Sequence, residues 1–423
     1  MLTFHRFSLN DLATNKHAQN TKGFEFLFRV FSCLFVAKIN MKKAEIIIIG
    51  GGVVGASVAY HLTERGAKSV LTLERENLLG KGSTGKATGG VRAQFETEIN
   101  IKLSLYSIEF FKNWNFDCGY EPCGYLFLAT GEKQFNFLKQ SVAKQKSLGC
   151  EAVEMVDTKT ISKMVKGLNC QDIVGGSFGG RDGFINPLGV LEGFSKKALE
   201  NGAAIQAETE VLLIETRNGK VVGVETDKGK LECEKVILCA GAWARNLAKT
   251  AGIDLPVEPL KRQIVWAESA TSLQENLPMV IDLSNGFHFR PAKDSKREVL
   301  FAYPDKNETP SFSTDFEESF VEKVYEKAKH RAPFLAKTKV LREKCRAGLY
   351  ENTPDHHAIL GGCEIAGLYF ANGFSGHGVM HSPATGRALA EIVLDGKASF
   401  LDVSCLRLER FATGELLHET AFI

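Results

Sequence analysis

Hydrophobic patterning divides the chain into recognisable elements from residue 44 onward. Ala44 to Gly55 reads AEIIIIGGGVVG, and its four consecutive isoleucines predict a strand buried on both faces, as in a parallel sheet. The following ASVAYHLTERG predicts a helix that stops at Gly66, and VLTLE predicts a second strand ending at Glu74. Between Glu208 and Val236, apolar and polar positions alternate around Asn218-Gly219, the signature of hairpin-linked strands. VILCAGAW (236–243) reads as a buried strand running into small residues. LYFA near 368–371 reads as another strand, followed by a glycine-rich turn and an amphipathic helix to Leu394. The order implies an α/β chain, α+β overall, built around a Rossmann-like unit.

The first forty residues lack this patterning. Phe24 to Val36 is apolar, but Glu25 and Arg29 interrupt it, and it is shorter than the roughly 20 residues of a membrane span. It is a targeting segment, an interfacial anchor, or the product of an upstream start, since Met41 directly precedes the first natural strand. The fold is therefore expected from residue 41, with a C-terminal tail at 401–423.

Composition narrows the class. Of 423 residues, 44% are hydrophobic and 24% charged, as in ordinary globular proteins of about two domains. A net charge of +2 gives no case for nucleic acid or an acidic membrane surface. The ten cysteines form no CxxC pair or zinc spacing, so free thiols in a cytoplasmic, reducing compartment are expected, or a mitochondrial one if residues 1–40 are a transit segment. No metal is expected: His356-His357 follow Pro354 in a loop, and Cys118 and Cys123 flank helix-breaking Gly119 and Pro122.

The chemistry begins at Gly50-x-Gly52-x-x-Gly55. Between a strand and a helix, Gly50 allows the turn, Gly52 and the adjoining Val53 and Val54 bring backbone to a pyrophosphate, and Gly55 lets helix and strand pack closely. Glu74 stands about twenty residues on, where a carboxylate grips ribose hydroxyls, with Arg75 beside it. The fingerprint suits NAD or FAD. FAD is favoured because a loop of small residues, GSTGKATGGVR (82–92), follows at once. It would lay Gly82, Ser83 and Thr84 along an extended cofactor. Val211, Ala240, Gly241 and Trp243 would close over the same dinucleotide. Gly376, His377, Gly378 and Val379 open a helix whose positive end would favour negative charge on a reduced flavin. His377 is an acid, a base, a ligand, or a side chain packed beside the cofactor. No second glycine fingerprint follows a strand downstream, so the electrons would come from an organic substrate.

These stretches resemble the D-amino-acid oxidase superfamily of flavoproteins, in particular the β subunits of sarcosine oxidase and dye-linked proline dehydrogenase, and glycine oxidase. The resemblance is carried by IIGGGVVGASVAYHL, LERENLLGKGSTGKATGGVR, GGRDGFINPLGVLEGFSKKALENGA, VILCAGAWA, AGLYENTPDHHAILG and GLYFANGFSGHGVMHSPATGRALAE. It implies an FAD domain at 41–124, 186–257 and 340–400. It also implies a substrate domain at 125–185 and 258–339, carrying a large antiparallel sheet over the flavin. The implied activity is oxidation of the C–N bond of a small amine or amino acid, of the sarcosine, glycine or proline type. Hydride would go to flavin N5 and then to O2 or an electron-transfer acceptor, and the chain could be one subunit of a hetero-oligomer. A non-catalytic assembly factor of the same fold is the alternative. Arg92 falls where monomeric sarcosine oxidases carry a carboxylate-binding arginine. Tyr350 stands where glycine and D-amino-acid oxidases carry theirs, so that either Arg92 or Arg290 is the anchor or the substrate is not a simple α-amino acid. A flavin-linking cysteine would align near Gly348, and Cys345 is three residues early, so FAD is expected to be non-covalent. No histidine lies between Gly179 and Asp182 to link a second flavin. Lys261 is the candidate for activating oxygen.

Overall fold

The computed structural model describes residues 42–293 and 295–419. The alternatives for residues 1–40 lie outside this range. The strand Ile46–Ile49 occupies the middle of a six-stranded sheet, paired in parallel with Lys235–Leu238 on one side and Val70–Leu73 on the other. Ala204–Gln206 extends one edge. Leu368–Asn372 and the antiparallel Ile359–Gly362 extend the other. The isoleucine run fits this position because both its faces are covered. Ile47 and Ile49 join a core with Val236 and Leu238, while Ile46 and Ile48 join one with Val58, Leu62 and Leu389. The second of these cores holds the helices Val53–Glu64 and Gly378–Asp395 against the sheet.

Val211–Arg217, Lys220–Thr226 and Gly229–Glu232 form a three-stranded antiparallel sheet. Asn218 and Gly219 both have positive φ, 51° and 72°, as a two-residue hairpin turn of this hand requires.

The large sheet has nine strands. Its long member, Glu258–Glu268, pairs with Glu298–Ala302, Lys339–Val340 and Arg346–Asn352, all antiparallel. Two features depart from expectation. Met279–Asp282 pairs in parallel with Tyr125–Ala129, so the sheet is mixed rather than wholly antiparallel. Arg346–Asn352, expected with the nucleotide-binding segments, hydrogen-bonds along seven positions to Glu258–Glu268 and belongs to the large sheet.

The segment expected as a tail is packed. Leu406 is fully buried, and Arg410 grips Asp355 with two hydrogen bonds of 2.7 and 2.9 Å while donating to the His357 carbonyl. Glu419 accepts from the backbone of Glu96 and Thr97 at the start of the helix Glu98–Asn113.

Candidate flavin and substrate cleft

A cleft of about 880 Å³ runs between the six-stranded sheet and the large sheet. At one end the turn after Ile49 is tightly built. Gly50 has φ +111°, and a Cβ there would overlap the carbonyl of Cys239. A Cβ on Gly55 would in turn overlap the Gly50 carbonyl, so helix and strand meet backbone to backbone. Gly55 thus packs beneath the turn, while Gly50, Gly52, Val53 and Val54 line the cleft. Glu74 lines it too, its two oxygens held by the N–H groups of Gly51 (2.8 Å) and Glu76 (2.9 Å). Each oxygen keeps a second lone pair for ribose hydroxyls.

The small-residue loop also borders the cleft. Gly82, Ser83 and Thr84 line the cleft, with the Ser83 hydroxyl donating to the Leu349 carbonyl (2.7 Å) and Thr84 accepting from Val53 N–H (3.1 Å). Val211, Ala240, Gly241 and Trp243 line the cleft as well, and Arg75 lies 3.8 Å over the Trp243 ring. Gly376, His377, Gly378 and Val379 open the helix Gly378–Asp395 onto the cleft. Gly376 has φ +97°, and a Cβ there would strike the Tyr350 ring.

The other end holds the candidate chemistry. Arg92, Tyr350 and His377 all line it. Arg92 is buried, with its guanidinium 3.8 Å over the Phe95 ring and donating to the Gln94 carbonyl. Asp182 fixes this segment from behind, accepting from Ala93 N–H (2.7 Å) and the Gln94 amide (2.9 Å). Burial raises the Tyr350 hydroxyl above its ordinary range, although Arg262 and Arg92 pull it down, so it stays protonated and can donate. Burial and the charge of Arg92 drive His377 far below the ordinary histidine value. It is therefore a neutral ring at physiological pH, set edge-on to Phe95 at 4.9 Å.

Two expectations are corrected. Arg290 does not line the cleft. It donates to the carbonyls of Pro291 and Thr88 and lies 4.3 Å over Phe184, so it braces the small-residue loop from outside. Lys261 is likewise outside, bound by Glu317 and lying 3.6 Å from Glu308.

Its neighbour Arg262, overlooked in the sequence, lines the cleft. Arg262 sits 5.5 Å over the Tyr350 ring, and its buried Nε has no hydrogen-bond partner among the described residues. His288 joins it there, its Nδ1 bonded to the Gly286 carbonyl at 2.9 Å and burial pushing it down to about 4. Cys345 contacts the backbone of Leu341 and Trp266 and does not line the cleft. Among the described residues, no group of three or more His, Cys, Asp or Glu could hold a metal ion. No described helix is long and apolar enough to cross a membrane.

The glycine turn, Glu74, the small-residue loop and the second helix N-terminus thus share one cleft, as a dinucleotide site requires. The family model described as "FAD dependent oxidoreductase" (DAO) matches residues 45–392. The chain belongs to this family. Its cofactor is FAD, and the placement of Cys345 agrees with non-covalent binding. The chain is 31% identical to "FAD-dependent oxidoreductase domain-containing protein 1" of Xenopus laevis, over 89% of this chain and 84% of that one. It is 29% identical to "4-methylaminobutanoate oxidase (formaldehyde-forming)" of Paenarthrobacter nicotinovorans, over 86% of this chain but only 45% of that protein. Among solved structures, L-proline dehydrogenase from P. horikoshii superposes with a TM-score of 0.82 at 30% identity, covering 89% of this chain and all of that one.

Proposed function

We propose that this protein oxidises the C–N bond of a small amino acid, with a secondary or primary amine, in the cleft beneath Arg262 and Tyr350. Bound FAD supplies a hydride acceptor at N5. The chain's own residues provide binding, orientation and field. Arg262 offers a guanidinium with an unused buried donor, suited to a substrate carboxylate. Arg92, close enough to Tyr350 to lower its hydroxyl, adds a second positive charge to the same cleft. That field has a chemical consequence. It disfavours an ammonium group and so favours the neutral amine, the form that releases hydride from the adjacent carbon. The Tyr350 hydroxyl stays protonated and orients the substrate by donating a hydrogen bond. His377, neutral and packed on Phe95, shapes the floor instead of shuttling protons.

The observation that carries this reading is the meeting of the Arg262–Tyr350 wall with the nucleotide-binding loops in one cleft. The resemblance to a proline dehydrogenase over nearly the whole chain supports it. Electrons would pass onward to O2 or to an electron-transfer acceptor, which partner subunits could supply. The test is anaerobic mixing of the flavoprotein with proline, sarcosine and glycine, and with the corresponding amines lacking the carboxylate. The expected result is bleaching of the flavin band by an amino acid and far slower bleaching by its decarboxylated counterpart. Equal rates for the two would remove the carboxylate anchor from the account.

A further inference from the structure

One half-buried acid lining the cleft is used by none of these roles. Glu351 follows Tyr350 on the strand Arg346–Asn352, and neighbours in a strand point to opposite faces. Tyr350 lies against Gly376, whereas Glu351 Oε2 lies 3.8 Å from where a Cβ on Gly241 would be. Glu351 lines the cleft, and this oxygen is buried without a hydrogen-bond partner among the described residues. The groups facing the carboxyl are the thiol of Cys239 and the backbone N–H groups of Gly373 and Phe374. None of the ion pairs found among the described residues involves it. A buried carboxyl without a cation and with an idle oxygen is costly unless something else bonds to it.

We propose that Glu351 is a cofactor-binding residue whose carboxyl hydrogen-bonds a hydroxyl of the FAD ribityl chain. Position and charge select this part of the cofactor. The Gly50 turn and the helix N-terminus beyond it suit the pyrophosphate, and that anion would repel a carboxylate. Tyr350, Gly376 and His377 mark the flavin and substrate end. Glu351 lies between them, beside Gly241 and Cys239, and the backbone of Cys239 and Ala240 packs onto the Gly50 turn. Between pyrophosphate and ring, FAD presents a neutral polyol. A neutral hydroxyl completes Oε2 without requiring a counter-charge. Burial lifts the carboxyl to about 7, so it can donate to the polyol as well as accept from it near neutral pH.

The inference rests on FAD binding and not on the substrate reading, and its test does not use turnover. The experiment titrates deflavinated full-length protein with FAD and with a series of FAD analogues, each lacking one ribityl hydroxyl. Glu351→Ala should raise the Kd for FAD by about tenfold or more, the loss expected for a hydrogen bond to a charged or partly charged group. Glu351→Gln keeps the shape and one acceptor and should lose less. One deoxy analogue should bind wild-type protein more weakly by a similar factor and show no further loss against Glu351→Ala. A wild-type Kd for FAD in both variants, with their thermal unfolding intact, would overturn the proposal. So would full additivity of the alanine substitution with every deoxy analogue. A chain that binds FAD as described yet oxidises no amine would sink the proposed reaction and leave the Glu351 assignment standing.

Discussion

Lys261 and Arg262 are adjacent cations on one strand, and their fates differ completely. Alternation sends one to the acids Glu308 and Glu317 and the other into the cleft. The sequence shows that two neighbouring basic residues must part, but which of them meets the substrate depends on which face of the sheet covers the cofactor. Arg290 misled for the same reason, since its arginine is real but its strand turns it toward Thr88 and Phe184. If Arg262 holds the carboxylate, Arg262→Met should raise KM by about tenfold to a hundredfold with a smaller change in kcat, measured by steady-state kinetics once a substrate is in hand. Glu351 carries a pH prediction at this scale. Burial raises its carboxyl from 4.5 to about 7, so the folded chain binds a proton more tightly than the unfolded one. Its contribution to stability is complete below about 4.5 and is lost as pH rises through 7. The melting temperature of deflavinated Glu351→Gln should therefore gain on that of wild type between pH 5 and pH 8. A constant difference across that range would mean the carboxyl does not titrate there.

Elements were legible where local chemistry dictated them. The isoleucine strand, the glycine turn and the Asn218-Gly219 hairpin all follow from periodicity and backbone freedom within a dozen residues. The strand Arg346–Asn352 is recognisable by its motif, but its pairing with Glu258–Glu268 is not, because pairing partners distant in sequence leave little local trace. The same applies to the parallel pairing of Met279–Asp282 with Tyr125–Ala129. The C-terminal segment, expected as a tail, is anchored by Arg410 in a buried pair with Asp355. Asp355 also bonds the backbone N–H of His357, and it follows the strand that carries Tyr350 and Glu351. Burial raises the Asp355 carboxyl, but the hydrogen bonds and charge of Arg410 outweigh this and hold it below the usual carboxylate range. The pair therefore stabilises the fold above about pH 4, and its contribution is lost as pH falls through the depressed value. Arg410→Met should cost about 3–5 kcal/mol at neutral pH by leaving Asp355 buried and unpaired. Denaturant unfolding would show this, and the deficit should shrink in acid. A loss below 1 kcal/mol would mean that the segment is not held by this pair.

At the scale of the whole molecule, four separated stretches of small residues, at 50–55, 82–92, 240–243 and 376–379, come together along one cleft. Their convergence was readable because each carries glycines where a cofactor must meet backbone, and a dinucleotide is long enough to connect them. The substrate end was less readable, since it is built from side chains of the large sheet whose orientation depends on register. The central claim is that this cleft couples a bound flavin to amine oxidation. A single anaerobic turnover tests it most directly: the holoprotein is mixed with the amino-acid panel, and both reduced flavin and released carbonyl product are counted. The account predicts that at least one amino acid reduces the flavin and yields one carbonyl product per flavin reduced. A folded, fully flavinated protein that stays oxidised with every member of the panel would contradict it and favour a flavoprotein whose role is structural.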